Sequence, residues 1–269
     1  VFAYNKLDFY LAAELGFTGF YRTGHFLSGL YINDSYGNSA TPSFFNPKAK
    51  GGLTYKINGR NYLYANGAIG NRAPLADNIF ISPRTRNEMI ANPVNERFYS
   101  MEAGYLLRAP TVKARLTFFA TDIKNACEIK HYYSEIDYSF VSMAMQGIGK
   151  RYTGIEAGGE IKVSPSFNIN LAAALTQAFY TTRPYIDLYS DNEVGPTNST
   201  LNGARDTVYM KNYYLPSGPQ TALMASVHYN SKKYWYATLS ANYLARNWMD
   251  FAPTARTRDA VDNLVKDSE

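Results

Sequence analysis

Apolar and polar positions alternate with a period of two along most of the chain. In Leu7–Arg22, the residues Leu7, Phe9, Leu11, Ala13, Leu15, Phe17, Gly19 and Tyr21 fall on one side. Asp8, Tyr10, Ala12, Glu14, Gly16, Thr18, Phe20 and Arg22 fall on the other. Successive side chains of a strand point to opposite faces, so the pattern predicts a strand with one apolar face. The same reading predicts strands at Lys48–Ile57, Asn61–Asn71, Lys150–Val163, Phe167–Tyr180, Thr221–Tyr229 and Tyr234–Arg246, and a hairpin over Glu96–Asp122. In the hairpin, Tyr99, Met101, Ala103, Tyr105 and Leu107 share the apolar side with Val112, Ala114, Leu116, Phe118 and Ala120. Glu102, Lys113 and Arg115 lie on the polar side, as do Glu156 and Glu160 of the Lys150–Val163 strand.

The connections alternate in length. Turns near Asn58-Gly59, Ala109-Pro110-Thr111, Ser164-Pro165-Ser166 and Asn230–Lys233 are short and carry turn residues. Segments 23–47, 72–95, 123–149 and 181–220 read as long loops, the third with a short strand of its own near Tyr138–Met145. In an up-and-down meander this puts every short turn on one rim and every long loop on the other, as in outer-membrane barrels. A soluble sandwich has no reason to sort its loops so. The strands are also long enough to cross a bilayer, which takes about 9–11 tilted residues. The expected fold is therefore all-β, an antiparallel up-and-down transmembrane β-barrel. About nine strands fit, whereas bacterial single-chain barrels have an even number, and the long loops suit a wide pore. The chain is expected to be part of a barrel of about 22 strands with a plugged lumen. It opens on VFAYNKLDFY, already strand-like and without a signal peptide, and Thr257–Glu269 lack a strand pattern. Both ends are expected to be cut.

Composition changes this picture little. The 269 residues are 46% hydrophobic and 15% aromatic, with 24 tyrosines. Mean hydropathy is −0.32, and no apolar run is long enough for a transmembrane helix. A barrel escapes that test because its alternating strands average out to polar. The net charge of +5 is scattered rather than clustered, so no nucleic-acid partner is expected. The single Cys127 excludes an intrachain disulfide framework.

Catalytic patterns are missing: the sequence has no HExxH, CxxC, Walker loop, GxGxxG or GxSxG, and the chain is not expected to be an enzyme. Glu156 and Glu160 could suggest a glycosidase pair, but lumen polarity, with Lys162, Lys113 or Arg115 as partners, accounts for them. Asp187, Asp191, Asn192 and Glu193 could offer oxygen ligands to calcium, and solvated loop acids account for them equally. No metal site or cofactor is expected. Arg84 and Arg86 in the SPRTRN loop, with Tyr132, Tyr133, Tyr185, Tyr213, Tyr214 and Trp248 in or near other long loops, are the ligand-binding candidates. Aromatic faces and guanidinium forks suit sugars, aromatic siderophores or anionic chelates alike.

The segments NGRNYLYANGA, NRAP (Asn71–Pro74), SPRTRN (Ser82–Asn87), NPVNERFYSMEAGY (Asn92–Tyr105) and LTFFATDIKN (Leu116–Asn125) together resemble the barrel of TonB-dependent outer-membrane receptors. The form is nearest to those of the Bacteroidetes that carry a carboxypeptidase-regulatory-like domain. VYMKNYYLPSGPQTA (Val208–Ala222) and YWYATLSANYLARNWMDFAP (Tyr234–Pro253) extend the resemblance over nearly the whole chain. It implies active uptake of a scarce nutrient, an oligosaccharide or siderophore, across the outer membrane. It also implies an N-terminal plug, absent from this sequence, that is pulled by the TonB complex, and in some cases a partner lipoprotein at the surface. The inward charges Glu102, Lys113, Arg115, Glu156 and Glu160 would then face the plug. Haem receptors of the class carry a histidine between the "RAP" and "NP" segments, and Leu75–Ala91 hold none, which counts against haem. The residues alone leave two other readings open: a passive or structural outer-membrane barrel, and a soluble β-rich carbohydrate-binding module.

Overall fold

The computed structural model describes residues 2–135, 138–197, 205–258 and 260–261. Most of the final polar stretch after Thr257 lies outside the described residues. Twelve strands form one sheet: β1 (Phe2–Tyr4), β2 (Leu7–Gly19), β3 (Ser43–Lys56), β4 (Asn61–Arg72), β5 (Glu96–Arg108), β6 (Val112–Ser134), β7 (Ser139–Lys162), β8 (Phe167–Tyr180), β9 (Tyr185–Ser190), β10 (Asp206–Thr207), β11 (Thr221–Asn230) and β12 (Tyr236–Ala245). The main path runs β1 to β8 in chain order, then β11 and β12, all antiparallel; β9 branches off β7 and carries β10. Each of the nine predicted strands is present.

Register turns the alternation into two continuous faces. Leu11 is paired with Gly51, Gly51 with Gly67, Gly67 with Met101 and Met101 with Ala120. Phe118 is paired with Ile155, Ile155 with Leu175, and Leu171 with Ala225. Paired residues point the same way, so one apolar face spans the sheet from β2 to β12. Its large side chains stand open: Leu11 and Leu239 are 80% and 76% exposed. An apolar surface of this extent far exceeds what a water-soluble monomer leaves uncovered. Hydrocarbon is the medium that matches it.

The opposite face is polar and bonded to itself. Tyr10 Oη donates to Asn66 Oδ1, Asn66 Nδ2 donates to Glu102 Oε1 at 2.7 Å, and Arg115 Nε donates to Tyr64 Oη at 2.9 Å. Two glycines make room for the rings. A Cβ on Gly52 would fall 2.7 Å from the Tyr10 ring, and one on Gly104 would fall 2.6 Å from the Tyr64 hydroxyl. At one end the turns are tight and self-capped: Asn58 Oδ1 accepts the amides of Arg60 and Asn61, and Ser164 Oγ accepts those of Ser166 and Phe167.

The other end departs from expectation. Residues 123–149 are not a loop. β6 and β7 run on as 23- and 24-residue strands and project as a hairpin to Ser134 and Ser139. The expected strand near Tyr138–Met145 is the start of β7. The alternation was masked by a bulge: Asn125 takes φ 59°, and the register shifts twice between Ile123 and Glu128. Within 181–220, β9 adds to the projecting part of β7, and β3 begins at Ser43 rather than Lys48.

Leu116 lies at the middle of the apolar face of β6, between Val112 and Ala120. Leu116→Arg is expected to cost about 2–4 kcal/mol in lipid-vesicle unfolding titrations. Asn242→Arg, at an exposed position on the polar face of β12, is expected to cost much less.

Candidate functional site

The long loops and the projecting hairpin make a folded layer at one end of the sheet. Two buried clusters hold it together. In the first, Ala126, Val141, Met143, Met145 and Ile148 of the hairpin pack with Ala178, Tyr180, Ile186, Leu188, Val208, Met210 and Leu215. In the second, Cys127 and Ala144 pack with Phe44, Ile79, Ile81, Ile90 and Tyr189. Met143, Ala144 and Met145 are consecutive and so alternate in direction. The hairpin is thus clasped on both faces, by 178–188 and 208–215 on one and by 79–90 on the other.

Arg86 ties three loops together. It is fully buried, its guanidinium lies 4.6 Å above the Tyr31 ring, and its Nη1 donates to Tyr31 Oη. It forms ion pairs with Glu88 Oε2 at 2.8 Å and Asp191 Oδ1 at 3.3 Å. The Tyr31 hydroxyl donates onward to Glu193 O at 2.7 Å. Nε and Nη2 have no well-aligned hydrogen-bond acceptor although the Glu88 carboxylate is adjacent, so charge proximity does most of the holding. Burial raises the Glu88 carboxyl above its ordinary 4.5, with Arg86 opposing the shift, and also raises the Tyr31 phenol. Burial pushes Tyr189 and the Cys127 thiol up to about 12 each, which leaves both neutral.

The ligand candidates do not converge on one place. Arg86 belongs to the buried bridge and is not an exposed fork; an SPRTRN loop reads the same whether its second arginine points out or in. Tyr132 is partly buried against the first cluster. Arg84 remains exposed, 5.7 Å from the Phe140 ring, which meets Tyr133 edge-on at 5.5 Å. Phe140 and Tyr133 are each about half exposed, so these three form an open ladder at the hairpin tip. Phe140 is not among the sequence candidates: it falls in the expected short strand near Tyr138–Met145, and its place beside Arg84 and Tyr133 depends on contacts between distant segments. Tyr185 sits beneath Arg205, which also grips Asp187. Tyr213 packs on Phe251 and under Arg256. Tyr214 and Trp248 stack at 4.4 Å, nearly parallel. Tyr214 bridges Phe179, whose side chain is on the apolar face. That stack therefore continues the apolar face upward rather than facing the loop layer's interior.

On the polar face, Glu102 lies 4.0 Å from Arg115 and Lys113 pairs with Glu160 at 3.1 Å. Glu156 stands beside Thr117 in register. The possible calcium ligands are dispersed, with Asp187 on Arg205 and Asp191 on Arg86. Among the described residues no three His, Cys, Asp or Glu side chains gather as a metal site. His131 and His228 bond to Ser142 and to Thr238 and Asn230.

No protein-family model and no curated protein matches the chain. Among solved structures it is similar to the copper transporter OprC, with a TM-score of 0.64 and 13% identity, over 90% of this chain and 33% of that one. The chain has the fold of an outer-membrane barrel wall. It spans about a third of the transporter's length. The apolar face of this wall is then its lipid side and the polar network its lumen side. The tight turns mark one rim and the folded layer the other. Among the described residues the sheet is open, with β12 paired only with β11.

Arg86→Met strands two carboxylates in the layer. The expected loss is about 3 kcal/mol, the low end for a broken buried pair because Glu88 and Asp191 keep some water contact. It should appear as faster amide exchange in residues 28–35, 79–90 and 186–193 with the strands unchanged. A raised folded pKa for Glu88 contributes stability that is present below 4.5 and lost as pH rises through the folded value. Exchange in the layer is expected to slow on acidification through that window, and Glu88→Gln to abolish this response.

Proposed function

We propose that the chain is the barrel portion of a TonB-dependent outer-membrane receptor. It takes up a scarce nutrient, an oligosaccharide or a siderophore, through a lumen closed by an N-terminal plug. The observation that carries this reading is the contrast between the two rims. One has four tight turns, and the other a layer with its own buried clusters and an ion-pair bridge. A passive pore needs an open mouth, whereas a capture device needs a built one. The self-bonded lumen wall supports the same view. Glu102, Lys113, Arg115 and Glu160 are already positioned in pairs and can exchange those bonds with a plug, and Glu156 adds charge on the same face.

In this reading the chain is a transporter with no chemical step. Its partners are outer-membrane lipid, the plug, through it the TonB complex, and a surface lipoprotein if the cargo is a glycan. Capture falls to the open ladder of Arg84, Phe140 and Tyr133 at the rim. Its two rings and one cation suit a sugar face or an anionic aromatic chelate. The neighbour's name points to copper; among the described residues no three His, Cys, Asp or Glu side chains gather as a donor group.

The test is uptake by intact cells. Loss of the gene should abolish accumulation of the cargo, and so should collapse of the inner-membrane proton gradient. Uptake that continues after the gradient collapses would identify a passive barrel instead. Arg84→Ala combined with Phe140→Ala is expected to weaken capture about tenfold while leaving barrel assembly intact.

A further inference from the structure

The lipid side of the wall is not uniform. A groove of about 440 Å³ runs down it, lined by Leu11, Gly51, Gly67, Ile69, Met101 and Ala120. Its floor is backbone, because Gly51 and Gly67 are direct cross-strand partners and carry no side chain. Tyr99 and Asp122 close its loop-side end.

Directly beyond that end stands a basic cluster on the same face. Lys124 Nζ lies 5.3 Å over the Tyr99 ring, and Arg97 is the cross-strand partner of Lys124. Arg151 grips Asp122 through two bonds, of 2.6 and 2.8 Å. All three cations are exposed. Against the one carboxylate they leave a local charge of +2, and Arg97 has only a long bond to Asn71, at 3.4 Å. Cations at a bilayer surface attract anionic headgroups, and an apolar groove the width of a missing side chain accepts an acyl chain.

Building on the membrane reading above, we infer that this groove and its basic cap bind one outer-leaflet lipid whose phosphate headgroup carries net negative charge. The acyl chain lies over Gly51 and Gly67. The phosphate meets Arg97 and Lys124, with Arg151 beside them. Charge complementarity selects the headgroup and the groove selects a chain. A neutral lipid satisfies only the second.

The full-length protein in phosphatidylcholine nanodiscs tests this. A Tyr99→Trp reporter is placed in a background in which every other tryptophan, Trp235 and Trp248 included, is replaced by Phe. A minor fraction of either brominated phosphatidylglycerol or brominated phosphatidylcholine is then added. Quenching by the anionic lipid should exceed quenching by the neutral one, by roughly fivefold in relative association for each cation engaged. Arg97→Gln with Lys124→Gln should bring the ratio to one. Arg97→Lys with Lys124→Arg keeps both charges and should keep the excess. Gly67→Leu should also remove it by filling the groove. A Cβ at Gly67 meets only Ser100 O, at 3.9 Å, so the strand tolerates it. Equal quenching by the two lipids overturns the site, as does an excess that survives either the double glutamine variant or Gly67→Leu. Quenching by neither lipid would show that this face is not in the membrane, and would overturn the membrane reading along with the site.

Discussion

Everything in this structure depends on one constraint: backbone amides and carbonyls surrounded by hydrocarbon must bond to one another. Each such group left unpaired costs several kcal/mol. The long strands meet that constraint by pairing without gaps, thirteen residues deep between β2 and β3 and again between β7 and β8. The bulge that interrupts the ladder, at Asn125, lies at the loop-side edge of the apolar face, close to the ion pair of Asp122 with Arg151. Irregular backbone is thus kept to levels where other partners are available.

The same ladder explains the division of labour between faces. Once pairing fixes the register, alternation alone decides which side chains meet lipid and which meet the lumen. The lipid side can then be filled with residues of almost any apolar size, including Ala and Gly. The lumen side has to satisfy its polar groups locally. It does so by laying Tyr10 and Tyr64 over Gly52 and Gly104 and threading hydrogen bonds between them.

The wall was legible in the sequence because its pattern is local. Leu7 to Gly19 and Val112 to Ala120 announce their faces two residues at a time, and Asn58-Gly59 announces its turn. The loop layer was not legible because its determinants are distant in sequence. Arg86 reads as a surface fork until Tyr31, 55 positions earlier, and Asp191, 105 positions later, are brought around it. The projecting hairpin was hidden by a smaller cause. Two residues with positive φ, Asn125 on β6 and Gly147 on β7, put the projecting part of each strand out of phase with the rest of it. With the alternation broken there, residues 123–149 read as a loop with one short strand near Tyr138–Met145. The aromatic candidates were found by type, but type could not tell Tyr133, open at the tip, from Tyr132, its neighbour packed against the core.

The clasped hairpin carries a thermodynamic consequence. Loops that fold only around a ligand surrender their conformational entropy at the moment of capture, and affinity falls accordingly. Here residues 79–90, 186–189 and 208–215 have already lost that freedom to the two buried clusters. A molecule arriving at the rim meets a surface whose ordering is complete. Under the proposed function, selectivity at such a surface rests on fixed shape, and release into the lumen has to reopen packing that binding did not create.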